Sequence, residues 1–113
     1  MKHACLIFFL ITALGVLASR TRGGPVTGNA RSATQLYSKN CASCHGRDGR
    51  SKTFKAKLNH ARNISEPEWQ ERVSDERIFN SIMNGKGKMP AFGKKLSEPE
   101  IDALVTHVRG LKK

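Results

Sequence analysis

The chain has 113 residues and a mass of 12.5 kDa, with 20 Lys and Arg against nine Asp and Glu and a formal charge of +11. Hydrophobic residues make up 38%, aromatics 6%, and there are three cysteines. That is one domain's length, and it excludes a collagen-like chain, a multi-pass membrane protein, a miniprotein stapled by three or four disulfides and a large enzyme with its own cofactor domain.

Lys2 and His3 lead into Ala4–Ala18, an apolar stretch whose only polar member is Thr12, closing on small residues before Ser19. A basic start, an apolar run of roughly 7–15 residues and a small-residue end describe a secretory signal peptide over residues 1–18. The run is shorter than the roughly 20 residues a spanning helix needs, so no stable membrane insertion is expected after cleavage. An uncleaved anchor facing the periplasm is the alternative. Residues 19–32 contain Gly, Pro and Thr without apolar periodicity and are expected to form a flexible leader. Cys5 lies in the apolar run and has no evident role.

Residues 33–113 then predict four helices and no strand. Ala33, Leu36, Tyr37 and Asn40 describe a short helix running into the cysteines. Ser65-Glu66-Pro67-Glu68 reads as a capping box opening a second helix, with Trp69 and Val73 on its apolar face. Ser74 caps a third helix from Asp75 to Asn84, where Ile78, Phe79, Ile82 and Met83 recur at helical spacing and Gly85 marks the stop. Ser97-Glu98-Pro99-Glu100 repeats the capping box for a last helix, whose stripe is Ile101, Leu104, Val105 and Val108 and which ends at Gly110. An all-α fold of about four short helices follows. Helices of two or three turns are unstable alone in water. Between Gly46 and Ile64 the chain is rich in Lys and Arg and offers only Phe54, Leu58 and Ile64 as large apolar residues. Something else must complete this core, and a covalent prosthetic group would serve.

Cys41-Ala42-Ser43-Cys44-His45 supplies the means. C-x-x-C-H is the attachment signature of c-type haem: two thiols add across the porphyrin vinyl groups, and the next histidine reaches the iron. The rival readings are weaker. A Cys41–Cys44 disulfide would close a tiny loop and leave His45 unexplained. A thioredoxin-like pair needs a βαβ context. A zinc site would draw on Cys41, Cys44 and two of His45, His60 and His107, which suits an exported chain poorly. One haem c per chain is therefore expected, with Cys41 and Cys44 as thioether anchors and His45 as proximal iron ligand. Met89 is the expected distal ligand, in a loop after a helix end where Gly85 and Gly87 permit close approach and Pro90 stiffens the backbone. Met83 falls on the apolar helix face and is expected to be core. His107 reads as an ordinary packed or surface histidine and His60 as solvated.

These residues resemble the class I monohaem cytochromes c of the small bacterial type. The likeness runs through Leu36–Gly46, Asp75–Phe79, Asn84–Phe92 and Leu96–Ile101, covers roughly residues 33–111, and is loose from Arg47 to Ile64. It implies a cytochrome c domain over residues 33–113, a haem wrapped by short helices, Leu36 and Tyr37 facing Leu104 and Val108, and a soluble periplasmic electron carrier. A filled sixth coordination position implies one-electron outer-sphere transfer without a substrate pocket. The alternative is a haem enzyme or sensor with a labile sixth ligand. Trp69 is a candidate haem contact, and Arg47, Arg50, Lys52 and Arg62 are candidate propionate neighbours. Lys86, Lys88, Lys94 and Lys95 flank Met89 and would steer the protein onto an acidic redox partner. The basic charge alone suggests nucleic acid, but the basic residues are scattered, aromatics are sparse and the export signal argues against it.

Overall fold

Ser32 opens the described part of the fold, which in this computed structural model comprises residues 31–113. The expected signal peptide and most of the expected leader lie outside it. Ser32 Oγ accepts from the Gln35 N–H (3.2 Å) and Gln35 Oε1 accepts from the Ser32 N–H (3.0 Å). This reciprocal cap starts α1, Ala33–Asn40. Five helices follow: α2 Ala42–His45, α3 Phe54–Asn59, α4 Pro67–Arg72, α5 Asp75–Asn84 and α6 Glu98–Arg109. Among the described residues there is no strand, only a bridge between Lys86 and Met89.

The core forms where α6 meets α1 and α5. Leu36, Ile101 and Leu104 are fully buried, and Tyr37, Ile64, Ile78, Ile82, Phe92, Leu96, Val105 and Val108 complete the cluster. The two faces expected to meet, Leu36–Tyr37 and Leu104–Val108, thus lie in one core. Truncating one of the fully buried leucines to Ala would cost about 2–5 kcal/mol. Tyr37 Oη donates to the Gly46 carbonyl at 2.8 Å and so ties α1 to the end of α2. Burial pushes the ionisation of this phenol well above its ordinary value, so it remains a donor. The Tyr37 ring lies 4.5 Å from that of His107, which is half-buried: a packed histidine, as its position on α6 suggests.

Two helices lie outside the four predicted, and one boundary is corrected. The extra helices are α2, a single turn carrying the cysteines, and α3, which buries only Ala56 and is opened by Thr53 Oγ1 accepting from the Ala56 N–H. The first is too short to show a period, and the second offers only Phe54 and Leu58, four residues apart, among its large apolar side chains. The second predicted helix, α4, starts at Pro67 with Glu66 as its N-cap, and Ser65 does not cap it. Ser65 is buried, with both its N–H and its hydroxyl donating to Asn63 Oδ1 (3.1 and 2.8 Å). An Asx turn has claimed the serine, and Pro67 at the first helical position supplies the start instead.

The cap of α6 holds, in altered form: Ser97 N–H and Oγ both donate to Glu100 Oε2 (3.0 and 3.3 Å), while Arg31 Nη2 donates to Oε1 (2.9 Å). The Ser97 bond first, and Arg31 after it, hold the Glu100 carboxyl below the usual carboxylate range. Among the described residues no helix is long and apolar enough to cross a membrane.

Candidate haem site

Cys41 ends α1 and begins α2 with an αR backbone, so the chain keeps turning helically through the motif. The Cys44 and His45 N–H groups both donate to the Cys41 carbonyl (3.1 and 2.9 Å), which closes one tight turn. Residues three and four apart on such a turn are neighbours, so Cys44 and His45 both follow Cys41 on one side of it. Both thiols are free and half-buried. Burial, with Cys44 beside it, pushes the Cys41 thiol up to about 11, so it stays protonated at neutral pH. Among the described residues no three His, Cys, Asp or Glu side chains gather as a metal cage, so the zinc reading finds no geometry here.

His45 is oriented from behind. Its Nδ1 lies 3.0 Å from the Arg62 carbonyl oxygen. A carbonyl can only accept, so Nδ1 carries the proton and Nε2 presents the lone pair. Burial lowers the pKa of this imidazole, with the Arg62 bond in opposition, and both the lowered pKa and the fixed tautomer suit a neutral iron ligand. The supporting loop is pinned at several points. Ser51 N–H donates to the His45 carbonyl (2.8 Å), Ala61 N–H to Ala56 O (2.9 Å) and Ile64 N–H to Gly49 O (2.8 Å). Thr53 Oγ1 lies within hydrogen-bond reach of the Ser43 and Cys44 carbonyls (2.9 and 3.0 Å), and Asn59 Nδ2 is 3.9 Å from Cys44 Sγ. Sequence reasoning missed this whole support, Ser51, Thr53, Asn59 and the Arg62 carbonyl. Backbone acceptors leave no mark in a sequence, and a Thr cap lacking an acidic residue three positions on is a faint signal.

Met89 sits in a tight reversal, its N–H and C=O paired with the C=O and N–H of Lys86 (both 3.0 Å). Gly85, at φ +76°, is required there: a Cβ would lie 2.7 Å from the Met89 carbonyl oxygen. Beyond the loop, Phe92 N–H donates to Ile82 O (2.9 Å) and Gly93 N–H to Met83 O (3.0 Å), which returns the chain to α5. Met83 lies against Gly93, with its Sδ in the space a Cβ there would take, and packs on the core as its helical position suggests. Met89, Cys41 and Trp69 are all half-buried against that same core. Pro90 is exposed beside Met89.

Lys86, Lys88, Lys94 and Lys95 are exposed, but Lys88 is not free: its Nζ donates to the Leu58 carbonyl (3.0 Å) at the end of α3. That bond joins the Met89 loop to α3, which itself packs on α2. Of the basic loop residues, Arg50 faces Asp48 (3.7 Å) and Arg62 faces Glu66 (3.9 Å). His60 is exposed and ends α3 in a left-handed conformation.

The residues fit a haem. Two free thiols on one turn, an imidazole with its proton directed away from Nε2, and exposed Phe54 and Leu58 on the helix packed against that turn make a donor set with apolar surface to cover. This arrangement on a small all-α scaffold defines a c-type cytochrome. Comparison with known proteins specifies it. Residues 28–108 match the family model described as cytochrome C oxidase, cbb3-type, subunit III, and the chain belongs to that cytochrome family.

It is 36% identical over 81 residues to cytochrome c6 of Gloeothece citriformis, covering 72% of this chain and 70% of that one. It is 30% identical over 96 residues to the cbb3-type cytochrome c oxidase subunit FixP of Azorhizobium caulinodans, covering 81% of this chain but only 31% of that protein. Among solved structures, the KustC0563 c-type cytochrome superposes with a TM-score of 0.68 at 40% identity, covering 74% of this chain and all of that one. The protein is a small monohaem c-type cytochrome. It carries covalently bound haem c and serves as an electron carrier rather than an enzyme, with redox proteins as its partners.

Proposed function

We propose that this chain is an exported, periplasmic carrier whose haem is attached at Cys41 and Cys44 and ligated by His45 Nε2 and Met89 Sδ. The observation that carries the reading is the 3.0 Å contact between His45 Nδ1 and the Arg62 carbonyl, which leaves Nε2 as the free donor directly after the second cysteine. When bound, the haem supplies an iron that takes up and gives away one electron. The chain's own residues do the rest. The thioethers and the Arg62 carbonyl hold the proximal side, and the hydrogen-bonded Lys86–Met89 reversal holds the thioether side. A thioether ligand favours Fe(II) and raises the potential. Trp69, half-buried on the core shared by Cys41 and Met89, is a haem contact in this reading, and Pro90 stiffens the ligand loop. Export follows from the signal peptide expected over residues 1–18. Lys86, Lys94 and Lys95, exposed beside the Met89 loop, form the docking face for an acidic partner, while Lys88 is tied to α3.

The deciding experiment compares Met89→Ala with Met83→Ala in haem-loaded protein. Met89→Ala should turn the ferric spectrum high-spin and lower the reduction potential, while Met83→Ala should keep the low-spin spectrum. The reverse pattern would transfer the ligand role to Met83. A high-spin spectrum in the unaltered protein would favour a haem enzyme or sensor.

A further inference from the structure

Ser51 adopts φ +55°, one of only two non-glycine residues with positive φ among the described residues. The left-handed region is uncommon for serine, and glycine would occupy it without a steric cost. What the serine adds is a hydroxyl. Ser51 Oγ donates to the Arg62 carbonyl at 2.5 Å and lies 3.5 Å from His45 Nδ1. The Ser51 N–H at the same time donates to the His45 carbonyl at 2.8 Å. Ser51 is thus clamped to His45 through the backbone and delivers a second donor to the acceptor of the His45 N–H.

We propose that Ser51 tunes the proximal ligand by competing for the Arg62 carbonyl. That oxygen has two lone pairs and can accept both donors, but each draws on the same electron density. The hydroxyl therefore weakens the bond from His45 Nδ1–H. A weaker bond leaves the imidazole less imidazolate-like and a poorer electron donor at Nε2, which disfavours Fe(III) and raises the reduction potential. Ser51 is a positioning residue, acting on the iron only through His45. The inference rests on His45 being the proximal ligand.

Ser51→Ala and Ser51→Gly test it together. Ala keeps the Cβ already present at this φ and so adds no backbone strain, while Gly relieves what there is; both remove the hydroxyl. In haem-loaded protein each should shift the reduction equilibrium about threefold toward Fe(III), roughly 30 mV for one electron at 59 mV per decade. In the ferrous protein the His45 Nδ1–H resonance should move downfield as its bond to Arg62 strengthens. An unchanged potential and resonance in both variants would overturn the inference. So would a change in Ser51→Gly alone, because that would trace to the backbone. A low-spin ferric spectrum with covalent haem retained in both variants keeps these failures separate from a failure of the ligation itself.

Discussion

A single hydroxyl holds the Cys41–His45 turn to the helix after it. Thr53 Oγ1 caps α3 through the Ala56 N–H and reaches the carbonyls that end α2, those of Ser43 and Cys44. It serves two short helices that have little packing of their own, since α3 buries only Ala56 and α2 buries no residue. Thr53→Val keeps the shape and removes every one of these bonds. It should cost about 1–2 kcal/mol, read as a lower urea midpoint with an unchanged slope in haem-loaded protein, and Thr53→Ser should recover most of it. The motif Cys41–His45 was legible because covalent and coordinate chemistry demands those side chains at that spacing. Thr53 and Ser51 were not, because their work is done on backbone carbonyls that become neighbours only after the loop folds.

At the scale of elements, α6 locks α4 and α5 through its last turn. Arg109 donates from Nη1 to Gln70 O and Oε1 (2.5 and 3.0 Å), from Nη2 to Val73 O (2.6 Å) and from Nε to Asp75 Oδ1 (2.6 Å). Gln70 is buried, and its Nε2 donates to Ile64 O (2.6 Å) and Val108 O (2.8 Å). Arg109→Met should therefore destabilise the protein by about 2–3 kcal/mol, because it strands the Gln70 carbonyl groups as well as removing bonds. Lys at this position should rescue little, since it lacks the planar fork that spans four acceptors. Asp75→Asn should cost well under 1 kcal/mol, because that carboxylate is 72% exposed. A calorimetric or denaturant series over these variants checks the ranking. The same scale shows what periodicity misjudged: the second predicted helix begins two residues after its expected cap, because Asn63 engages Ser65 first.

Charge is unevenly spread over the molecule. All nine acidic residues fall at Asp48, on or just before α4, in the first turn of α5, and in the first half of α6, while Lys86 to Lys95 carries four lysines and no acid. A steered encounter through that segment predicts that electron-transfer rates with an acidic redox partner fall severalfold as ionic strength rises and the screening length shrinks below about 8 Å. Stopped-flow rates against salt measure this. Lys94→Glu with Lys95→Glu should slow the reaction at low salt and flatten the dependence, leaving the reduction potential nearly unchanged.

The residue string by itself determined the helical class, the four helices α1, α4, α5 and α6, the Cys-x-x-Cys-His spacing, and the place of Met83 on a helix face and of Met89 in the loop beyond it. These rest on local rules: periodicity, capping chemistry, and a spacing imposed by the vinyl groups of a porphyrin. Tertiary structure alone decided which carbonyl receives the His45 proton, why Ser51 accepts an unfavourable backbone angle, that Gly93 makes room for Met83, and that one of four apparently free lysines is tied to α3. Each depends on groups far apart along the chain meeting at hydrogen-bond or van der Waals distance, and such meetings leave no periodic or compositional trace.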